Sequence, residues 1–424
     1  MKKINTSPIS GMQELLPEAQ ATFNNLKNKI SETYLSHGFL NIETPTIDRT
    51  EILLAKAGGD TEKQIYKVVK TAEASDAADQ ALRFDHTVPL ARYVVEHEND
   101  LKFPFKVSQI GRNFRGERAQ RGRFREFYQC DVDVIGRGEL SLYYDADVLM
   151  TALDALKSFG LDTPIIARVN NRKIVTGVIE ALNLQEQAEE IYGIIDHSEK
   201  VSGEETVAAL DEIGLSEDNR NKILSLISLN GEADEAVQGL RGLGVNSEMF
   251  NDGVAELEYV IKTLEQGDYK EMVRVDMRIV RGLDYYTGTV FEFCLPEHME
   301  VGSIGGGGRY DNLAGYFTDL KLPGVGASIG LTRLFYVLNE NNLIKSQIRR
   351  PIDTAIVPIS EKELPFAMKV AKELREKGEV VTVVGTDKKL GDKLKYAAAV
   401  AEKGIVLGEA EVQSGNYEVK VFEI

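Results

Sequence analysis

The chain has 424 residues, about three times the ~150 residues typical of one domain, so two to four domains are expected. Its 43% hydrophobic and 28% charged residues exclude wholesale disorder, and no apolar run approaches the ~20 residues of a membrane-spanning helix. The N-terminus lacks the apolar core of a secretory signal. The sequence contains two cysteines, which can build neither a disulfide framework nor a four-ligand zinc site. We therefore expect a cytoplasmic protein without a membrane partner.

The net charge of −17 argues against sequence-blind binding of nucleic acid through bulk charge. One segment runs against this balance. The fourteen residues 112–125 contain six arginines, at positions 112, 115, 118, 121, 123 and 125, and a single acid, Glu117. This segment is either a local basic groove or a solvated charged hairpin.

The first predicted helix has Phe23, Leu26, Ile30 and Tyr34 at helical spacing and stops at Gly38. Residues 103–136 follow the pattern strand, arginine-rich turn, strand. Alternation in the second strand places Gln129, Asp131 and Asp133 on one face, which suggests a lined pocket rather than a core. An acidic helix follows and ends at Gly160.

From about residue 171 to 269, short helical runs rich in Glu, Ala and Leu replace the strand signals, which predicts a helical insertion into a mixed domain. After Arg350-Pro351, short strands and helices alternate as in a compact α/β domain. The expected boundaries are 1–170, 171–270, 271–345 and 351–424.

Several standard sites are absent from the sequence: it has no P-loop, no GxSxG and no paired histidines at metal-ligand spacing. The four consecutive glycines 305–308 are unusual, because glycine costs backbone entropy and leaves no side chain to pack. They predict either a close approach of the backbone to a ligand or strand, or a bulged strand corner.

Several residues together favour a site for a nucleotide and a small zwitterion. Arginine binds phosphate bidentately without losing its charge, acids suit an amine, and tyrosines supply hydroxyls and ring faces. The candidates are Arg115, Arg123, Arg281, Arg333, Asp85, Glu117, Asp133, Tyr285 and Tyr286.

Two stretches carry a family resemblance. RGLDYYTGTVFE (281–292) resembles the histidine-specific signature of histidyl-tRNA synthetases, and GGGGRYDNL (305–313) is similar to their second signature. FRGERAQRGRFREFYQCDVDVIG resembles class II motif 2, PGVGASIGLTRL resembles motif 3, and Pro45 takes the place of the motif 1 proline. SGMQELLP is similar to the N-terminal motif, with Glu14 where Asp is expected. The resemblance spans essentially the whole chain.

This resemblance implies an α+β fold: an antiparallel-sheet catalytic domain (1–170 and 271–345) with the helical insertion (171–270), and a C-terminal α/β anticodon-binding domain (351–424). It implies that Arg115 holds the α-phosphate of ATP and that Arg281 is the catalytic arginine. The remaining roles it implies are Glu117 at the adenine; Arg123 and Arg333 at the outer phosphates; Asp85 and Thr87 at the histidine; Gln129 and Asp133 at its α-amino group; and Tyr285 and Tyr286 at its imidazole.

The implied reaction attaches L-histidine to tRNA(His) through a histidyl-adenylate, with ATP as substrate, Mg²⁺ as cofactor and a homodimer as the assembly. No protein metal ligands are assigned. The alternative is a regulatory, histidine-binding subunit of ATP phosphoribosyltransferase. Such relatives typically lack the anticodon domain and degrade the RGLDYY signature, and this sequence keeps both.

Overall fold

The computed structural model describes residues 4–55, 59–71, 79–120, 122–280, 286–344 and 350–422. Internal contacts divide the chain into two compact units, residues 1–13 with 26–343 and residues 14–25 with 344–424. Short 3₁₀ segments lie at Gln185–Gln187, Lys270–Met272, Pro296–Val301, Leu313–Tyr316 and Glu361–Glu363.

The helices that precede residue 344 include the predicted first helix and the acidic helix before Gly160, and half of them lie between residues 172 and 266. They are α1 (Pro17–Ser36), α2 (Thr50–Leu53), α3 (Gly59–Gln64), α4 (Thr87–Glu96), α5 (Tyr143–Lys157), α6 (Arg172–Ala181), α7 (Ala188–His197), α8 (Gly203–Glu212), α9 (Glu217–Ile227), α10 (Ala233–Gly242), α11 (Glu248–Gln266) and α12 (Leu331–Glu340).

The strands of the same part form one sheet of nine strands and one of three. They are β1 (Leu40–Asn41), β2 (Ile47–Arg49), β3 (Lys67–Val68), β4 (Gln80–Leu82), β5 (Phe105–Phe114), β6 (Glu126–Ile135), β7 (Ile166–Asn171), β8 (Asn230–Gly231), β9 (Val273–Asp276), β10 (Thr289–Cys294), β11 (Gly305–Tyr310) and β12 (Gly324–Ile329).

The nine-stranded sheet has the order β1-β5-β6-β12-β11-β10-β7-β9-β8, and β2-β4-β3 form the small sheet. Every pairing in the large sheet is antiparallel except β1 with β5 and β7 with β9. The predicted antiparallel sheet with helices is therefore confirmed. One expectation was wrong in detail: the short strand β8 lies inside the segment predicted to be helical, because its two residues extend the sheet beside β9.

Helices α1 and α5 explain how the sheet is covered. The predicted apolar stripe of α1 is buried, and the Tyr34 hydroxyl donates to the carbonyl oxygen of Cys130 in β6 at 2.9 Å. Helix α5 contacts β12, and ten of its fifteen residues are buried. Helix α11 packs on α6, where Gly253 and Gly177 leave room for the facing backbone.

The second unit contains the α/β pattern predicted after Pro351. Its further elements are β13 (Ile352–Pro358), α13 (Leu364–Glu376), β14 (Val381–Val383), α14 (Leu390–Val400), β15 (Ala401–Leu407), α15 (Glu409–Ser414) and β16 (Val419–Val421). The sheet order is β14-β13-β15-β16, with the first three strands parallel. Apolar clusters on β13, α13 and α14 form its core.

Candidate active site

The arginine-rich turn between β5 and β6 is held by backbone and side-chain hydrogen bonds. Arg115 N donates to the Arg125 carbonyl oxygen at 2.9 Å, and Arg125 N donates to the Gly11 carbonyl oxygen at 2.8 Å. The Arg125 guanidinium donates to the carbonyl oxygens of Glu117 (2.9 Å) and Ser10 (3.3 Å). Arg125 therefore fixes the turn to the N-terminal segment instead of facing a ligand.

The other arginines of this turn have distinct surroundings. Arg112 is paired with Glu126 at 3.0 Å on an exposed face. Arg115 lies over the rings of Phe84 and Phe127, with its Cζ atom 4.3 and 5.1 Å from the two centroids. These cation–π contacts restrict the position of the Arg115 guanidinium, a group that can bind an anion bidentately.

A cavity of about 420 Å³ opens beside this turn, over β6, β10, β11 and β12. Six of the predicted site residues line it: Arg115, Glu117, Arg123, Gln129, Tyr286 and Arg333. They come from the hairpin, from the segment before β10 and from the first turn of α12, so the fold brings together residues more than 200 positions apart. The basic-groove interpretation of the turn is therefore the better one for Arg115 and Arg123, and the charged-hairpin interpretation is the better one for Arg112.

The glycine run lies on the floor of this cavity. Gly305, Gly306 and Gly307 line it, in a regular strand paired on both sides, without a bulge. A Cβ atom at Gly307 would overlap the Gly326 carbonyl oxygen, and one at Gly306 would lie 2.6 Å from the Phe291 carbonyl oxygen. The glycines thus permit close approach of the neighbouring strands and also leave a floor without side chains.

The electrostatics of the cavity favour an anion. Burial lowers the pKa of the Arg333 guanidinium, and the nearby positive charge of Arg123 lowers it further. Glu117 lies 3.7 Å from Arg123 and offsets part of this repulsion. A bound polyanion would relieve the mutual repulsion of the two arginines, so charge complementarity points to a phosphate-bearing ligand.

The polar face of β6 passes from the cavity into the core. Gln129 lines the cavity, where its Nε2 donates to Ser328 Oγ at 2.8 Å and its Oε1 accepts from Asn113 Nδ2 at 2.6 Å. Asp131 and Asp133 are each only 4% exposed. The predicted polar face is therefore divided: Gln129 lines the cavity, and Asp131 and Asp133 form a buried polar layer beside it.

Each buried carboxylate of this layer has a partner. Asp131 Oδ2 lies 2.9 Å from Nδ1 of the buried His86. Asp133 Oδ1 accepts a hydrogen bond from the Tyr310 hydroxyl at 2.8 Å. Burial raises the pKa of Asp133 to about 8, the Asp131 charge adds to the shift, and the hydrogen bond from Tyr310 opposes it. Asp133 thus changes its charge close to neutral pH.

Asp85 and Thr87 lie at the start of α4. Asp85 Oδ1 accepts from the Val88 backbone N at 3.0 Å, and burial raises the pKa of the Asp85 carboxyl. Thr87 borders a small apolar cavity together with Tyr310 rather than the 420 Å³ cavity. Asp85 and Asp133 do not line that main cavity either, although the charges of Asp133, Asp131 and Asp85 influence one another. Arg281 and Tyr285 lie outside the described residues.

Sequence reasoning missed several polar residues at or below the cavity. Glu292 and Ser328 line it, and Tyr310 supports Asp133. Burial raises the pKa of the Glu292 carboxyl. Glu292 could have been found, because it is the single acid in the otherwise apolar strand VFEFC. Ser328 could not have been found in this way, because its position opposite Asp131 depends on strand register, which the sequence alone does not fix.

Within the described residues, no cluster of three or more His, Cys, Asp or Glu side chains is arranged to hold a metal ion. The main cavity does offer the carboxylates of Glu117 and Glu292. Among the same residues, every helix is too short or too polar to cross a lipid bilayer.

Comparisons with known proteins identify the family of this chain. A family model described as histidyl-tRNA synthetase matches residues 11–334, and one described as an anticodon binding domain matches residues 353–423. The chain belongs to the histidyl-tRNA synthetase family. A histidine–tRNA ligase of Clostridium tetani is 41% identical over 100% of this chain and 96% of its own length.

Solved structures give the same result. A histidyl-tRNA synthetase from Nostoc sp. PCC 7120 matches with a TM-score of 0.88 and 36% identity, covering 99% of this chain and 97% of that one. A Bacillus halodurans protein titled as an ATP phosphoribosyltransferase regulatory subunit/histidyl-tRNA synthetase has a TM-score of 0.76 at 22% identity, covering 99% and 98%. That second likeness shows a shared fold only.

Proposed function

We propose that this chain attaches L-histidine to tRNA(His) in two steps, with ATP consumed in the first and histidyl-adenylate as the intermediate. The observation that carries the proposal is the cavity in which Arg115, Arg123 and Arg333 converge over a glycine floor. Family membership supplies the class of reaction, and the cavity supplies the groups that this reaction needs.

In the first step the histidine carboxylate attacks the α-phosphate of ATP in line and pyrophosphate leaves. A carboxylate is already ionised at pH 7, so the step needs no general base. Catalysis then consists of positioning and of neutralising the charge on phosphate. We assign Arg115 to the α-phosphate, Arg123 and Arg333 to the outer phosphates, Glu117 to the adenine, and Arg281 to the transition state.

The amino acid is assigned to the Gln129 end of the cavity and to the buried polar residues beside it. Gln129 and Asp133 are proposed to meet the α-amino group, Asp85 and Thr87 to complete the histidine site, and Tyr285 and Tyr286 to contact the imidazole. The proposal is supported by Tyr286 lining the cavity and by the buried carboxylates next to it, since a substrate cation offers these acids a partner.

Mg²⁺ fits the cavity as a proposed cofactor. This ion is usually bound by one or two carboxylates together with substrate phosphates and water, and Glu292 provides a carboxylate in the cavity. When bound with ATP, Mg²⁺ would neutralise part of the negative charge of the phosphates. Arg115, Arg123 and Arg333 are proposed to neutralise the same phosphate charges.

In the second step a terminal ribose hydroxyl of tRNA attacks the adenylate carbonyl carbon. We propose that the exposed turn around Arg118 contacts the acceptor end of the tRNA. Residues 171–270 carry 21 acidic against 8 basic residues, so contacts to the phosphate backbone are not expected there.

The C-terminal domain has 11 basic and 13 acidic residues from Pro351 on, so anticodon binding there depends on stacking and specific polar contacts.

A homodimer formed near motif 1 is part of the proposal. Its support is a set of exposed apolar side chains beside that motif: Leu35 is 61%, Leu40 60% and Ile47 44% exposed. Such side chains are typical of a surface that a second copy covers. Sedimentation at micromolar concentration tests this, and a monomer would contradict it.

The experiment that tests the function is pyrophosphate exchange into ATP with each of the twenty amino acids, with and without Mg²⁺. Exchange that depends on histidine alone is expected. Histidine binding without exchange would instead support the alternative, a regulatory subunit of ATP phosphoribosyltransferase. Exchange with another amino acid would show that the pocket has been assigned to the wrong substrate.

A further inference from the structure

A tight turn carries the chain from β9 towards residue 281. The Ile279 backbone N donates to the Asp276 carbonyl oxygen at 3.2 Å, and the Arg278 backbone N donates to Asp276 Oδ1 at 3.0 Å. Arg168 of β7 holds the other carboxylate oxygen, with its Nε at 2.9 Å from Asp276 Oδ2. The turn is therefore closed by its own backbone and anchored to the sheet.

A second residue of β7 contacts this turn from the side. Asn170 is 0% exposed, and its Nδ2 donates to the carbonyl oxygens of Met277 (3.4 Å) and Ile279 (3.0 Å). Its Oδ1 accepts from the Asn171 backbone N at 2.7 Å. The backbone pairing of β7 with β9 ends at Val169 opposite Val275. Beyond this point the Asn170 side chain provides the hydrogen bonds between β7 and the turn.

The turn leads directly to the cavity. Ile279 lines the 420 Å³ cavity and Val280 is buried. Arg281 follows after one further residue, and consecutive Cα atoms are only about 3.8 Å apart. The Ile279 carbonyl group therefore lies only two residues before the start of the signature. On the far side of the signature, Thr287 N donates to the Arg309 carbonyl oxygen at 2.8 Å.

We propose that Asn170 is a positioning residue for adenylate formation: by binding the carbonyl groups of Met277 and Ile279, it fixes the point from which the chain continues to Arg281. The inference rests on the proposed function, in which Arg281 acts on the transition state. It adds a residue that lies more than 100 positions before the signature and outside every motif of the resemblance.

The neighbouring Asn171 provides a matched control. It is also 0% exposed and on β7, but its side chain serves α6: its Oδ1 accepts from the Lys173 backbone N at 3.0 Å and its Nδ2 donates to Glu256 at 2.8 Å. Asn170→Ala and Asn171→Ala therefore remove the same chemical group from adjacent buried sites. Only the first of them releases the turn.

The experiment compares the full-length wild type, Asn170→Ala and Asn171→Ala in histidine-dependent pyrophosphate exchange. A misplacement of about 1 Å can cost about 100-fold in rate. We expect kcat to fall about 100-fold in Asn170→Ala, with KM for ATP and for histidine changed less than about 3-fold, and kcat in Asn171→Ala to stay within about 3-fold of the wild type. Asn170→Asp, which has the same shape but lacks the amide N–H groups, should behave like Asn170→Ala and serves if the alanine variant does not fold.

Amide hydrogen exchange of the same proteins separates this inference from the proposed function. Faster exchange of residues 277–280 is expected in the Asn170 variants and not in Asn171→Ala. Equal kcat losses in the two alanine variants, or unchanged exchange at 277–280, would overturn the positioning role. A wild type without histidine-dependent exchange would contradict the proposed function, and the hydrogen-exchange comparison would then decide on Asn170 by itself.

Discussion

The hydroxyl of Tyr310 donates a hydrogen bond to Asp133 Oδ1 at 2.8 Å, and both side chains are almost completely buried. Tyr310 is the last residue of the glycine strand β11, and Asp133 lies two strands away in β6. The Asp133 carboxyl lies over Gly326 of the intervening strand, where a Cβ atom would overlap it. Glycine at this position is what allows the tyrosine to reach across.

This contact leads to a prediction about pH and stability. The folded-state pKa of Asp133 is about 8 against an ordinary value of 3.8, so between these values the folded state holds a proton that the unfolded state has lost. Stability is therefore lost as pH rises through that window, by at most about 1.4 kcal/mol per pH unit. Asp133→Asn removes this dependence. Urea unfolding at pH 5 and pH 8 should show the variant gaining stability relative to the wild type at the higher pH, and a constant difference would refute the buried proton.

The arginine pair of the cavity leads to a second prediction. Arg123→Ala removes a charge that repels Arg333, so we expect the ligand-free protein to keep its melting temperature while KM for ATP rises about 10-fold, the loss of one charge-assisted hydrogen bond. Arg112→Ala is the control, because Arg112 is paired with Glu126 and does not line the cavity. A similar rise in KM in both variants would show that overall charge, and not the site, is responsible.

The glycine floor can be tested by stability alone. Gly307→Ala places a methyl group against the Gly326 carbonyl oxygen in the middle of the sheet, and overpacking of this kind costs about 1–3 kcal/mol. Gly315→Ala has no atom within 4 Å of its new Cβ and is expected to be nearly neutral. Chemical denaturation of both variants measures the difference. Equal stabilities would mean that the strands can move apart without cost.

A fourth prediction separates the two steps of the proposed reaction. Arg118 is exposed at the tip of the turn and does not line the cavity. Arg118→Ala should therefore leave histidine-dependent pyrophosphate exchange unchanged while kcat/KM for tRNA in aminoacylation falls about 10-fold, with a weaker dependence on salt. A parallel loss in both assays would place Arg118 in activation instead.

Local patterns in the sequence were sufficient for much of the fold. Three predicted features depend only on residues close together in the sequence, and the structure confirms them: the apolar stripe of α1, the hairpin β5–β6 and the alternation of strands and helices in the C-terminal domain. The proximity of Arg115 and Arg123 was also predictable, because both lie in the hairpin turn, whereas Arg333 comes from α12.

The buried polar layer was not predictable in the same way. Pairs such as Arg309 with Asp145, 164 positions apart, and His86 with Asp131 depend on strand order and register, which no local pattern encodes. The same holds for Arg125, since nothing near it in the sequence shows that its partner is the backbone at Ser10. A polar residue in a strand predicts a polar neighbour, but the identity of that neighbour is a property of the assembled sheet.

The contacts of Arg125 with Ser10 and Gly11 have a practical consequence for handling the protein. Gly11 adopts a positive φ of 83°, and a Cβ atom there would lie 2.9 Å from Arg125 Cγ, so this short segment is a shaped support for the motif 2 turn. Purification tags and cleavage scars are usually placed at this end of a protein. An affinity tag whose removal trims the chain past Gly11 is expected to loosen the turn, so comparisons of activity between preparations require an intact N-terminus.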